Sequence, residues 1–127
     1  GRTGGNQPIY ISPQCGTNEV MHEIMHALGF VHEHSRTDRD KYLEVIWQNI
    51  DPQYWLQFWV VPDEHIHDYV GSVFSFDTES IMLYDSTAFA KEPGTLTLKS
   101  KSGSELKPSR KAFSRMDRER LLYLYGN

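Results

Sequence analysis

Residues 22–32 read HEIMHALGFVH and carry the strongest structural signal in the sequence. Apolar residues recur at helical spacing before and within this stretch and predict a helix over about residues 17–28. The apolar stripe consists of Val20, Ile24, Ala27 and Leu28. His22 and His26 are four residues apart on that helix, so both imidazoles project from one face and can reach a single cation. Glu23 is rotated away from this row, which suits a carboxylate that holds a water beside the metal better than a direct ligand.

A third ligand is expected because catalytic zinc sites usually take three ligands from the protein. On a continuous helix, His32 would lie almost three turns from His22, too far to share an ion. Gly29 can end the helix in a left-handed conformation, and a sharp turn there would return His32 to the metal. The spacing therefore predicts a Zn²⁺ centre with His22, His26 and His32 as ligands. A shuffled chain of this composition would contain the whole pattern only about 0.0001 times, which disfavours the alternative of half-buried histidines on an amphipathic helix.

Around this helix the sequence predicts little regular structure. Residues 9–12 are a short β-branched and aromatic run between two prolines and predict a brief strand. Thr17 or Asn18 is predicted to cap the helix that follows. Residues 62–114 hold many Pro, Gly, Ser and Asp residues and predict irregular structure with a few short strands at most.

Two further helices are predicted downstream. Asp51 stands before a proline within an aromatic stretch and predicts a cap with a short helix over residues 52–59. The chain closes with a helical pattern over about residues 115–125. Ser114 is its predicted cap, and Asp117 follows three residues on, as in a capping box.

The composition is that of one ordinary globular domain. The 127 residues are 39% hydrophobic, 24% charged and 13% aromatic, which excludes a disordered tail, a collagen-like fibre and a coiled coil. No apolar run approaches the ~18 residues of a membrane span. The net charge of -4 argues against a nucleic-acid partner. Basic residues cluster late and are interpreted as a solvated face; they are Lys99, Lys101, Lys107, Arg110, Lys111, Arg115, Arg118 and Arg120.

Other candidate residues carry weaker signals. Cys15 is the only cysteine, which excludes an intrachain disulfide and leaves a buried thiol, a reactive thiol or a disulfide to another chain. His65 and His67 lie near acidic residues, but a solvated loop is favoured over a second cation site there. His34 follows the third expected ligand by two residues and is expected to be exposed.

The pattern HExxHxxGxxH resembles the zinc-binding signature of the metzincins. Its continuation over residues 30–40, FVHEHSRTDRD, resembles the longer signature of the astacin family within that clan. Residues 80–84, SIMLY, are similar to the Met-turn of the family. The resemblance covers about three quarters of the chain and is poor over residues 85–113. It also includes residues 1–5, 9–12, 42–52 and 121–125.

The resemblance implies a role for each residue that matches the family pattern. The implied zinc ligands are His22, His26 and His32. Glu23 would be the general base and acid, and Met82 would lie beneath the ligands as an apolar floor. Tyr84 would ligate zinc and swing out to stabilise the oxyanion. Glu33 would anchor the N-terminus of the mature enzyme through water.

Three departures from the family pattern are visible in the sequence. Leu83 stands where family members usually have His. Cys15 falls near a position of one of the two family disulfides, but its partner would lie upstream of Gly1, and the family's near-terminal cysteine is absent. The family's catalytic domain is also longer at its N-terminus.

The fold implied by the resemblance is α+β, a metzincin-type zincin. The helix with the histidines would pack on a mostly antiparallel or mixed sheet largely outside this chain. Residues 1–127 would be a single partial catalytic domain, in which 1–32 end the N-terminal subdomain and 33–127 form an irregular C-terminal subdomain that ends in a helix. Because a lone short strand cannot form a stable sheet, the apolar stripe is expected to need an N-terminal segment of the same domain, or a pro-segment, and these residues are not expected to fold alone.

The function expected from these residues is that of a secreted, zinc-dependent endopeptidase acting on protein or peptide substrates. It would use a metal-activated water and a glutamate general base. The alternative is a catalytically silent, zinc-stabilised protein-binding module. Glu23 favours the enzyme, because a structural zinc site needs no base there and normally closes its fourth position.

Overall fold

The computed structural model describes residues 4–62, 74–110 and 112–126. Within these residues, the regular elements are the helices and strands α1 (Thr17–Ala27), β1 (Leu43–Val45), β2 (Leu98–Ser100) and α2 (Arg115–Tyr125). Short 3-10 segments connect them at Glu33–Ser35, Arg39–Lys41, Trp47–Asn49 and Pro52–Phe58. The expected α+β architecture is confirmed, and most of the described chain between α1 and α2 is irregular.

Helix α1 begins at a glycine rather than at a hydroxyl or amide side chain. Gly16 is the N-cap, and the Glu19 carboxylate reaches back to accept the Gly16 N–H at 2.9 Å. The prediction of Thr17 or Asn18 as the cap is therefore wrong, since both lie inside the first turn of the helix. The carboxylate at the third helical position satisfies the backbone donor, and its negative charge suits the positive end of the helix dipole.

The predicted turn after α1 is confirmed at Gly29. Its φ of 98° lies in the region that disfavours a Cβ. The Gly29 N–H donates to His26 O at 3.0 Å, and the Phe30 N–H donates to Met25 O at 3.0 Å. This pair of bonds is a Schellman motif, which satisfies the last carbonyls of the helix and reverses the chain.

Residues 9–12 form no strand, so the predicted brief strand is wrong. A strand needs a neighbour to pair its backbone N–H and C=O groups, and no described segment lies beside these residues as a partner. Their side chains are accordingly in contact with solvent, and Tyr10 is 88% exposed.

The sheet that the described residues do form is made of two strands that follow α1 in the chain. Strands β1 and β2 are antiparallel, with Leu43 opposite Ser100 and Val45 opposite Leu98. Their inward side chains join a hydrophobic core made of Leu43, Val45, Ile50, Phe58, Phe76, Leu83, Leu98 and Leu106. The predicted helix after Asp51 is a 3-10 helix, and the Asp51 carboxylate accepts the Gln53 N–H at 3.1 Å, which confirms the predicted cap.

A second hydrophobic core joins α1 to the C-terminal helix. Its buried members are Met25, Phe30, Ile81 and Met82, and half-buried side chains of Met21, Leu28, Phe74, Phe113, Leu121 and Leu124 pack against them. The segment over residues 80–84 therefore lies between α1 and α2. On the stripe of α1, Ile24 remains 39% exposed, because no larger sheet covers it among the described residues.

Helix α2 begins as predicted. The Ser114 hydroxyl accepts the Asp117 N–H at 2.9 Å, and the Asp117 carboxylate accepts the Ser114 N–H at 3.0 Å. The interpretation of the late basic residues as a solvated face is wrong at Arg120, which is 1% exposed. Lys111 lies outside the described residues, and the other members of that set are exposed.

Candidate metal centre

The three histidines of the sequence pattern meet at one point. His22 and His26 project from α1, and the turn at Gly29 returns His32 towards them. The Nε2 atom of His32 lies 3.1 Å from Nε2 of His22 and 3.2 Å from Nε2 of His26. Among the residues that the structure describes, these three side chains form the group of His, Cys, Asp or Glu residues that could hold a metal ion.

Backbone carbonyls fix the orientation of two of the rings. The Nδ1 atom of His22 donates to Ile81 O at 2.9 Å, and the Nδ1 atom of His26 donates to Phe30 O at 2.9 Å. In the neutral imidazole, a proton on Nδ1 leaves the lone pair on Nε2. The lone pairs of His22 and His26 therefore face the third ring, which is the arrangement of metal-binding histidines.

The electrostatics of the site favour neutral imidazoles. The pKa of His32 is lowered to about 2, first by burial and then by the nearby His34, His26 and His22. Burial is also the largest cause of the lowered pKa of His26. Neutral rings are the form that binds a metal. Tetrahedral ligands at 2.0–2.1 Å from zinc lie roughly 3.3 Å from one another, so the observed spacing fits this ion.

Glu23 and Tyr84 line one cavity beside the histidines. The cavity has a volume of about 250 Å³, and His22 also contributes to its wall. Glu23 is exposed to solvent there. The pKa of the Tyr84 hydroxyl is raised, first by burial and then by the negative charge of Glu23. The two side chains that the sequence singles out for chemistry thus open onto the same space as one of the histidines.

The Tyr84 ring packs against the third histidine of the pattern. Its centroid lies 4.5 Å from that of His32 and 4.0 Å from that of His34. The Tyr84 hydroxyl donates to Oε1 of Gln57 at 3.3 Å. The sequence does not single out Gln57, because it is 27 residues from Tyr84 and belongs to a 3-10 helix with no motif of its own.

His34 is fully buried, so the expectation of an exposed side chain is wrong. The 3-10 segment Glu33–Ser35 turns the imidazole inward, where it stacks on His32 at 5.0 Å between ring centroids. Its Nε2 atom donates to Gln57 O at 2.9 Å. Burial lowers the pKa of His34 to about 4, which keeps the ring neutral against the third ligand candidate.

Glu33 lies at the centre of a buried ionic cluster. Its carboxylate accepts from Arg36 Nη1 at 2.8 Å, from Arg120 Nη1 and Nη2 at 2.7 and 2.9 Å, and from the Asp77 N–H at 2.8 Å. The cluster joins the segment after His32 to α2. Anchoring of the N-terminus by Glu33 stays a prediction, because residues 1–3 lie outside the described part of the chain.

The remaining candidate residues from the sequence are Met82, Leu83, Cys15, His65 and His67. Met82 is buried, and its carbonyl accepts the Glu33 N–H at 2.9 Å, which ties the Met-turn to the residue after His32. Leu83 is buried in the core beside the sheet. Cys15 is a free, half-buried thiol. His65 and His67 lie outside the described residues.

The fold brings three imidazoles together at a point where they could hold one metal ion, at the end of α1 and beside the segment over residues 80–84. Comparison with known proteins identifies the family to which the chain is similar. The profile of the Astacin family of peptidases matches residues 1–126. The chain therefore belongs to the astacin family.

Relatives and a solved structure agree with this assignment. The chain is 45% identical over 100 residues to zinc metalloproteinase nas-9 of Caenorhabditis elegans, which covers 77% of the chain and 18% of that protein. It is 37% identical over 132 residues to zinc metalloproteinase nas-4 of the same organism, covering 99% of the chain and 39% of that protein. High choriolytic enzyme 1, a hatching enzyme zinc-protease from Oryzias latipes, superposes with a TM-score of 0.76 at 31% identity, covering 86% of this chain and 52% of that one.

The matched relatives are longer than this chain. It spans less than two fifths of the two nematode proteins and about half of the hatching enzyme. The metzincin-type α+β fold and the likeness to zinc proteases are thus established for the portion shared with them, and the three-imidazole set of this portion suits Zn²⁺.

Proposed function

We propose that this chain forms the metal-binding part of a zinc-dependent endopeptidase, with His22, His26 and His32 as the zinc ligands. The observation that carries the proposal is the approach of His32 Nε2 to 3.1 Å from His22 Nε2 and 3.2 Å from His26 Nε2, beside a cavity that Glu23 and Tyr84 line. A structural zinc site has no need of an open cavity or of a carboxylate in its wall.

Zinc bound at such a centre acts as a Lewis acid on a carbonyl and brings the pKa of a water near neutrality. Glu23 supplies the proton transfers in this proposal. Its exposed carboxylate at the cavity wall accepts the proton of the attacking water and then donates it to the nitrogen of the departing amine. Both transfers occur in the cavity, where an extended peptide has access from solvent.

Tyr84 supplies a hydrogen bond to the carbonyl oxygen as negative charge develops on it. The raised pKa keeps the hydroxyl protonated at neutral pH, as a donor must be. To reach the substrate, the hydroxyl exchanges its bond to Gln57 for one to the oxyanion.

The proposal extends to a further segment of the same domain, or a pro-segment, that covers the apolar side of α1. Ile24 on α1 and Ile11 before it are 39% and 46% exposed, and burying side chains of this size stabilises a fold by about 1.5–3 kcal/mol each. The substrates would be proteins or peptides, and the enzyme would act outside the cell. In the described residues, neither helix has the length and apolar character of a bilayer span.

The test is cleavage of a protein substrate by the full-length protein. Casein is incubated with the zinc-loaded protein, and the fragments are identified by mass spectrometry. Internal cuts that cease on chelation and return with added zinc are expected. Stoichiometric zinc without any cleavage would contradict the proposal and favour a zinc-stabilised binding module.

A further inference from the structure

A buried carboxylate of α2 holds the turn that orients one of the metal-binding histidines. Asp117 is completely buried, and three donors converge on its carboxylate. The Ser80 hydroxyl donates to Oδ1 at 2.7 Å, the Ile81 N–H donates to Oδ2 at 2.9 Å, and the Ser114 N–H donates to Oδ2 at 3.0 Å. Only the bond from Ser114 is needed to cap the helix.

The Ser80 hydroxyl links Asp117 to the peptide group that contacts His22. The Ser80 hydroxyl oxygen accepts the Met82 N–H at 3.0 Å. This N–H belongs to the same peptide unit as the Ile81 carbonyl, which accepts from His22 Nδ1 at 2.9 Å. A continuous series of hydrogen bonds therefore runs from the carboxylate through the hydroxyl and the peptide unit to the imidazole.

The direction of these hydrogen bonds determines how Asp117 affects His22. Each donor points towards Asp117, so its negative charge draws the Ser80 proton, makes the hydroxyl oxygen a better acceptor for the peptide N–H and increases the negative charge on the Ile81 oxygen. Consecutive hydrogen bonds in a buried environment strengthen one another in this way. When the Ile81 oxygen accepts more strongly from the Nδ1–H group, it fixes the tautomer of His22 and raises the electron density at Nε2.

We propose that Asp117 is a positioning residue for the metal site and acts on His22 through Ser80 and the peptide between Ile81 and Met82. The inference rests on the proposed function only in taking His22 as a metal ligand. Direct carboxylate partners of metal-binding histidines are common, whereas here a hydroxyl and a peptide unit stand between the two groups. The sequence offers Asp117 only as a helix cap, since Ser80 lies 37 residues away.

The same turn also holds the segment of the third histidine. Met82 O accepts the Glu33 N–H at 2.9 Å, directly after His32. The hydrogen bonds from Asp117 to this turn therefore support two of the histidines. His22 is held through its side chain, and His32 is held through the backbone that follows it. Because of this second contact, loss of the Asp117 hydrogen bonds is expected to change the metal site and not α2 alone.

The test measures zinc affinity in the full-length protein by competition with a chelator, so that peptide cleavage is not the readout. Ser80→Ala removes the hydroxyl and leaves Asp117 able to cap α2. Ser80→Thr restores a hydroxyl at the same position. The matched control is Ser114→Ala, which removes the hydroxyl that accepts the Asp117 N–H and donates to Asp77 Oδ2, but removes none of the hydrogen bonds that run from Asp117 through Ser80 to His22. Urea unfolding of the metal-free proteins measures how far each variant destabilises the fold.

We expect Ser80→Ala to weaken zinc binding about 10-fold, with Ser80→Thr recovering most of the affinity and Ser114→Ala matching the wild type. Equal affinity in Ser80→Ala and wild type would overturn the inference, as would an equal loss in Ser80→Ala and Ser114→Ala. If Ser80→Ala shows no cooperative unfolding, Asp117→Asn keeps the shape and removes the charge, and unchanged zinc affinity in that variant overturns the inference. Absence of casein cleavage in a protein that shows the expected affinity changes would reject the peptidase and leave this relay intact.

Discussion

Arg120 forms a two-pronged ion pair with Glu33, 87 residues earlier in the chain, with N–O distances of 2.7 and 2.9 Å. Both side chains are at most 2% exposed. The pair joins α2 to the residue that follows the third histidine, so the C-terminal helix is connected to the segment that carries His32.

The first prediction concerns this pair. Arg120→Met retains much of the side-chain volume and leaves Glu33 with one guanidinium partner, Arg36. Loss of one partner from a buried pair costs about 3–5 kcal/mol, so the free energy of unfolding should fall by that order. Urea denaturation measures it. Arg118→Met, on the exposed side of the same helix, is the control, and equal stability of the two variants would contradict a structural role for the pair.

The second prediction concerns the turn at Gly29. Alanine there must adopt a φ of 98°, which places its Cβ against the backbone and costs about 1–2 kcal/mol of stability. Gly29→Ala should therefore lower the free energy of unfolding by this amount and weaken zinc binding, because His32 follows the turn. Gly94→Ala is the control for zinc binding, since Gly94 has a similar φ of 82° and lies in a turn outside the segment that carries the histidines. Unchanged stability of Gly29→Ala, or equal zinc affinity in the two variants, would show that the turn at Gly29 tolerates a side chain.

The third prediction concerns Glu23. Glu23→Gln keeps the shape of the side chain but cannot accept a proton, so kcat/KM for peptide cleavage should fall about 100- to 10,000-fold. Metal analysis should still find zinc in the variant. Glu19→Gln is a matched control, because Glu19 lies one turn earlier on α1 and lines the same cavity. Near wild-type cleavage by Glu23→Gln would remove Glu23 from the role of general base.

The fourth prediction concerns Tyr84. Tyr84→Phe keeps the ring on His32 and His34 but removes the donor to the oxyanion, so kcat should fall about 10- to 1,000-fold with little change in KM. Steady-state kinetics on a quenched fluorescent peptide separates the two constants. Gln57→Met removes the resting partner of the hydroxyl and should not lower kcat. A Tyr84→Phe variant with unchanged kcat and reduced stability would show a purely structural residue.

Local sequence signals account for the parts of the structure that depend on local rules. The spacing of His22 and His26 sets their common helical face, and Gly29 provides the left-handed turn that returns His32. The cap at Ser114 is predictable because its partner is three residues away. In each case the residues that determine the local structure lie close to one another in the sequence.

The parts that the sequence does not predict depend on distant partners. The sequence places Arg120 on a solvated face because nothing within its helix indicates a carboxylate 87 residues away. It predicts an exposed His34 because the burial of this ring depends on Tyr84 and on the Gln57 carbonyl. The run at residues 9–12 has strand-forming side chains, but a strand forms only where a neighbouring strand is present.

We propose that His22, His26 and His32 together bind one zinc ion. X-ray absorption at the zinc edge, recorded on the full-length protein with its metal content measured, tests it most directly. We expect one zinc per chain with three imidazole nitrogens at about 2.0–2.1 Å, and two imidazoles in His32→Ala. A zinc shell that is unchanged in His32→Ala would contradict it.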